Sequence, residues 1–126
     1  MPLRIITCGS REIFMYDEHS KFLDYLHEKY NIIEIIQGGA MGVDSVSKLW
    51  AMKNGIDLVE FPLNTSKGKS CGPRRNARML SYLRSQDVYK TAHKIAVIAF
   101  PGTEGTEDMK ARATKADVKI INYRKV

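Results

Sequence analysis

Five short apolar runs alternate with segments of helical periodicity, and that alternation limits the folds open to the chain. The runs are 3–8 (Leu3-Arg4-Ile5-Ile6-Thr7-Cys8), 32–36, 56–61, 95–100 and 119–123. They are short and rich in β-branched residues, so they read as strands. Gly9-Ser10-Arg11 breaks the first, Gln37 to Gly42 the second, Pro62 the third and Pro101-Gly102 the fourth. Between them, Asp17 is a candidate cap for a helix in which Phe22, Leu23, Leu26 and Tyr30 share a face. Val43, Val46, Leu49 and Trp50 mark a second helix, with Asn54-Gly55 as its stop. Pro73 suits the first turn of a third, striped by Met79, Leu80 and Leu83. A fourth is expected from about 107 to 116, and 85–94 reads as a polar connection. Strands that alternate with helices predict an α/β protein: a mostly parallel five-stranded sheet with helices on both faces, in one domain over 1–126.

The formal net charge is +6, which favours anionic partners without naming one. Only two cysteines occur, Cys8 and Cys71, so a disulfide framework is not expected and a cytoplasmic setting is. His19, His27 and His93 show no metal spacing, and neither a metal nor a cofactor is expected. No apolar stretch approaches the about 20 residues of a membrane span, and the first residues lead into a strand instead of a leader peptide.

The unusual residues fall after the strands. Gly9-Ser10-Arg11 follows the first, 38–44 the second, a loop with Lys67, Gly68, Lys69, Arg74 and Arg75 the third, and Pro101 to Thr106 the fourth. In a parallel sheet these loops share the carboxyl edge, where ligands of open α/β sheets bind. Each feeds a helix N-terminus, which favours an anion. Taken singly, a glycine at such a turn is a steric need. Four such loops on one edge, with basic side chains between them, point to a phosphate-bearing small molecule. The stretch Ala99-Phe100-Pro101-Gly102-Thr103-Glu104-Gly105-Thr106-Glu107-Asp108-Met109 poses a question, because its acids repel phosphate. One answer is that amides and arginines take the anion while Asp44 and Asp108 accept hydrogen bonds from sugar hydroxyls. The other is that both acids only complement helix dipoles. Arg75 and Arg78 are helical neighbours, and Arg78 reads equally well as an exposed basic residue. The chain has no G-x-G-x-x-G after its first strand, and Gly68-Lys69-Ser70 lacks the earlier glycine of a phosphate loop, although Lys69 suits a phosphate contact. Cys71 and Trp50 read first as packing residues.

Several motifs in order resemble one family: Gly9-Ser10-Arg11; Gly38-Gly39-Ala40-x-Gly42-x-Asp44; Trp50-Ala51; Phe61-Pro62; Gly72-Pro73-x-Arg75-Asn76-x-x-Met79-Leu80; and Phe100-Pro101-Gly102-x-x-Gly105-Thr106-x-Asp108-Met109. The chain resembles the SLOG superfamily, in its YspA-like branch, over nearly its whole length. The resemblance implies a Rossmann-like domain that binds nucleotides or derivatives such as ADP-ribose-like molecules. Its relatives include the "lonely guy" phosphoribohydrolases and the DNA-processing protein DprA. The phosphoribohydrolases carry P-G-G-x-G-T-x-x-E and an upstream Arg, which Arg75 matches. Their Glu position falls on Met109 and their second Gly on Thr103. Asp108, one residue earlier, is rotated by about 100° on a helix.

The first reading is therefore a sensor or sequestering protein for a nucleotide derivative. Its expected contacts are Gly9, Ser10, Arg11, Gly38, Gly39, Ala40, Gly42, Asp44, Lys69, Arg75, Asn76, Gly102, Thr103, Gly105, Thr106 and Asp108. The runner-up is a hydrolase of an N-glycosidic or phosphate bond, with Asp108 or Glu104 as acid and Arg75 holding phosphate. A single-stranded nucleic-acid binder ranks third, since no row of exposed aromatics is evident. A homo-oligomer is expected, with the apolar Trp50 and Met79 faces available to it.

Overall fold

A computed structural model describes residues 2–63, 68, 71–87 and 94–126. Its elements are β1 (Leu3–Cys8), α1 (Tyr16–Tyr30), β2 (Ile32–Gln37), α2 (Val43–Asn54), β3 (Asp57–Glu60), α3 (Cys71–Ser85), β4 (Lys94–Ala99), α4 (Glu104–Lys115) and β5 (Lys119–Asn122). The strands form one sheet in the order β3-β2-β1-β4-β5, and every pairing is parallel. The fold is thus α/β and Rossmann-like, with the strand order reversing beside β1. The loops after β1 and β4 part on either side of that switch, which opens a crevice at the carboxyl edge.

Alternation along each strand builds two cores. Leu3, Ile5, Ile32, Ile35 and Ile98 pack against Phe22, Leu23 and Leu26 of α1 and Val43, Trp50 and Ala51 of α2. Ile6, Ile36 and Val97 pack on the other face against Met79, Leu80 and Leu83 of α3 and Met109 and Ala113 of α4. Both faces are covered, which is why the central strands read as continuous apolar runs. Glu34 is the exception, a buried carboxylate inside β2. It pairs with Arg4 at 3.1 Å and accepts a hydrogen bond from the Tyr82 hydroxyl at 3.0 Å. No described helix is long and apolar enough to cross a membrane.

The structure corrects the expected oligomer faces. Trp50 is 1% exposed and donates from Nε1 to Asp24 Oδ1 at 2.8 Å, while Met79 is 2% exposed. Both are committed to the cores and present nothing to a second copy. The exposed apolar side chains of α2 are Leu49 and Met52 instead.

Three helix starts also move: the first helix begins at Tyr16, so Asp17 lies within its first turn and is not its cap. The third helix begins at Cys71, ahead of Pro73, and the fourth at Glu104, ahead of 107. Apolar periodicity detects only Met109 and Ala113 of α4. The helix extends upstream because Glu104 and Glu107 complement its positive end. As a result, Glu104, Gly105 and Thr106 form a helical first turn and not a loop.

His19 of α1 is buried, with its ring centroid 4.6 Å from that of Phe100 and 5.0 Å from that of Tyr123. Burial pushes its pKa down, against a smaller upward pull from Glu18. The unfolded chain therefore takes up this proton at a higher pH than the folded one, so stability falls as pH drops from about 6.5 toward the lower folded value. Denaturant titrations from pH 7.5 to 5 should show this loss in the wild type and a shallower one in His19→Phe. Parallel slopes would remove His19 from the account.

Candidate functional site

A cleft of about 360 Å³ lies at the carboxyl edge, at the switch between β1 and β4. Its floor is the end of β1, Thr7 and Cys8. Its walls are Gly9 and Arg11, Gly38 to Asp44 of the second loop, Gly72 to Met79 of α3, and Thr103 to Thr106 at the start of α4. Four segments distant in sequence thus meet around one space.

Backbone bonds fix the loops to one another. Ser10 N–H donates to Pro101 O at 2.8 Å, and Ser10 O accepts from Val43 N–H at 3.1 Å. Ser10 Oγ accepts from Glu12 N–H at 3.0 Å, so this buried residue is used by the protein itself. Gly42 lies against that junction with φ +70°, and a Cβ there would collide with Ser10 O and the Arg11 backbone. In the second loop, fully buried Gln37 accepts a hydrogen bond from Gly39 N–H and donates to Glu60 Oε1 at 2.8 Å. Asp44, in the first turn of α2, accepts from Ala40 N–H at 3.1 Å. Burial pushes its carboxyl up, while the Ala40 amide, the Arg75 guanidinium and the Gly38 amide pull it back.

Arg75 and Arg78 part company. Arg75 Nη1 donates to Gly38 O at 3.2 Å, and a side chain at Gly38 would occupy the guanidinium's place. The glycine is what admits this arginine to the cleft wall. Arg78 instead lies over the Phe61 ring at 5.4 Å, outside the cleft.

At the start of α4, Glu104, Gly105 and Thr106 all line the cleft. Their N–H groups belong to the first turn, which has no intrahelical acceptors, so the positive end of the helix faces this space. Asp108 does not line the cleft. It accepts from Asn76 Nδ2 at 3.0 Å and Arg112 Nε at 2.8 Å, and Asn76 also donates to Gly105 O at 3.1 Å. Asn76 and Asp108 therefore tie α3 to α4 and hold that first turn in place. Met109, the next residue, is fully buried in the second core.

Of the expected contacts, Gly9, Arg11, Gly38, Ala40, Asp44, Arg75, Asn76, Thr103, Gly105 and Thr106 share the cleft, as does Glu104. Ser10, Gly39, Gly42, Gly102 and Asp108 do not line it and hold its walls. Lys67 and Lys69 lie outside the described residues. Sequence reasoning missed Thr7, Cys8, Leu63, Gly72 and Met79 as lining residues. Thr7 and Cys8 end an apolar strand, and only the reversal of strand order there exposes them to a ligand space. Burial and the Asp44 charge push the Cys8 thiol up to about 12. It stays protonated at neutral pH and is a poor nucleophile. Among the described residues, no three His, Cys, Asp or Glu gather as a metal site requires.

Two stability measurements check this construction. Gly42→Ala should cost at least about 3 kcal/mol in denaturant unfolding, combining left-handed strain with collision against backbone. Gly55→Ala, at φ +66° in open space, should cost only about 1 kcal/mol. Equal costs would mean that the Ser10 junction tolerates expansion. Asn76→Ala should cost about 1–3 kcal/mol, because it leaves Gly105 O and Asp108 without their shared donor. A neutral result would show that the α3–α4 tie is dispensable.

Comparisons with known proteins agree with this architecture. Among solved structures, the X-ray structure of DNA processing protein A (DprA) from Streptococcus pneumoniae is similar in fold, with a TM-score of 0.54 at 15% sequence identity. The similarity covers 94% of this chain and 58% of that one, so the chain spans little more than half of DprA. No curated protein matches the sequence. The model of the YspA, cpYpsA-related SLOG family matches residues 3–68, from the start of β1 to beyond the end of β3, which is just over half of the chain. With the glycine turns after β1 and β2 inside that match and the cleft built upon them, the chain belongs to the YspA, cpYpsA-related SLOG family.

Proposed function

We propose that the cleft binds a nucleotide or nucleotide-derived ligand, and that the protein acts as a sensor or sequestering protein for it. The observation that carries this reading is the convergence of Arg11, Arg75 and the first turn of α4 on one cleft at the strand-order switch. Guanidinium forks and free helix amides are complementary to phosphate. The volume, about 360 Å³, falls within the range of small-molecule sites. The polar walls and the Leu63 and Met79 side chains give such a ligand both an anionic and an apolar contact surface.

Binding is favoured over cleavage by where the acids lie. Cleaving a base–ribose bond needs a carboxylate close to the developing positive charge. Met109 stands where phosphoribohydrolases carry their Glu, and its side chain is packed in the core. Asp108 is held by Asn76 and Arg112 outside the cleft. Asp44 lines the cleft but is engaged by the Ala40 amide, and Glu104, the other acid on the cleft, stands five positions before Met109, away from the place of the phosphoribohydrolases' Glu. In this reading a single domain is sufficient for binding.

A thermal-shift and calorimetric screen with AMP, ADP-ribose, cyclic nucleotides and NAD tests the proposal. At least one should raise the melting temperature, by an added stability of about 2.7 kcal/mol at a hundredfold excess over Kd. Arg75→Ala should weaken that ligand about tenfold or more. Chromatography of incubated nucleoside monophosphates should show no free base. The proposal is abandoned if no nucleotide shifts the melting curve while an oligonucleotide binds in an Arg75-dependent, salt-sensitive manner.

A further inference from the structure

We infer that Glu104 makes the cleft selective for phosphorylated ligands that carry adjacent hydroxyl groups, as ribose does, over bare phosphate and deoxygenated analogues. The inference rests on the nucleotide reading above and names the residue that would set its selectivity. The carboxylates at this end of the sheet differ in what they already hold. Asp44 accepts the Ala40 amide, and Asp108 accepts Asn76 and Arg112. Glu60 accepts Gln37 and pairs with Lys48 at 3.5 Å, while Glu107 pairs with Lys110 at 3.7 Å. Only Glu104 of this group both lines the cleft and lacks a hydrogen bond or ion pair with a described residue.

Its position sharpens the point. Glu104 is the first residue of α4, on the same turn as the amides that would receive an anion. An unpaired carboxylate there repels a bare phosphate, which makes the turn a poorer anion site than its amides alone would be. The conflict disappears if the ligand places hydrogen-bond donors beside its anionic group, since an ionised carboxylate is purely an acceptor. Those donors are better neutral than cationic, because Arg11 and Arg75 line the same cleft and would oppose an ammonium group. Neighbouring hydroxyls meet both requirements, and two of them match the two oxygens of one carboxylate. Such charge-assisted bonds are stronger than neutral ones, so their loss is measurable.

Calorimetric titration of the full chain with AMP, 2′,3′-dideoxyadenosine 5′-monophosphate and inorganic phosphate tests the assignment. The wild type should bind AMP about tenfold or more tighter than the dideoxy compound. Glu104→Ala should bring that ratio close to one by weakening AMP, while phosphate and the dideoxy compound bind as well as before or better. Glu104→Gln, which removes the charge and keeps an acceptor, should strengthen phosphate binding and retain part of the preference. Because Glu104 is exposed and supports only the first turn of α4, both variants should stay folded, with melting temperatures lowered slightly by the lost helix-dipole contact. Equal wild-type affinities for the two nucleotides, or an Ala variant that weakens both alike, would overturn the assignment and leave the nucleotide reading standing. Failure of both nucleotides to bind the wild type would overturn the assignment, and the nucleotide reading would fall with it only if ADP-ribose, cyclic nucleotides and NAD also leave the melting curve unchanged.

Discussion

The backbone of Ser10 is the junction on which the cleft depends. Its N–H reaches the loop after β4 and its C=O receives the first amide of α2. One residue thereby locks three loops at the place where the strand order reverses. Such bonds are hard to lose when buried, because an unmade backbone bond there has no water to replace it. The close fit leaves no room for a side chain at Gly42, whose left-handed backbone turns the chain into α2. Those constraints set the N-terminus of α2 and the Pro101 turn relative to one another. The α4 turn is fixed from its other side, by Asn76 reaching across from α3 to Gly105 O.

Charge is sorted on this frame. A basic chain folds with two arginines and two acids on one cleft, and each has a different situation. Arg75 is seated on the Gly38 carbonyl, and Asp44 is buried under the second loop. Asp108 faces sideways into the seam between α3 and α4, where it helps hold the helix turn. Glu104 remains at the mouth. The acids that looked opposed to phosphate in the sequence are therefore of two kinds: those spent on scaffolding and one left facing the cleft.

How far each feature could be read from the residues follows from its range in sequence. Strand and helix identity is local, so Leu3–Cys8 or the Phe22, Leu23 and Leu26 stripe shows in the spacing itself. The gathering of glycine turns on one edge follows from strand–helix alternation, because parallel strands place successive loops together. Helix starts were less legible: α4 begins with polar residues that an apolar period does not register. Arg75 and Arg78 look alike in sequence, and only the positions of Gly38 and Phe61 separate cleft wall from surface stacking. Trp50 looked available as an interface because its stripe gives one apolar face without saying what covers it.

Local chemistry determined the element types, the apolar faces, the turn residues and the family to which the chain belongs. These depend on neighbours within a helical turn or a strand's alternation, and the sequence carries that information directly. Tertiary structure decided which polar residues face the cleft and which are consumed by its walls. Asp108 and Glu104 differ by four positions on one helix, yet Asn76, far away in the chain, claims the first and leaves the second free. A side chain's availability is a property of its partners, and those partners are brought together only by the packing of the sheet and its helices.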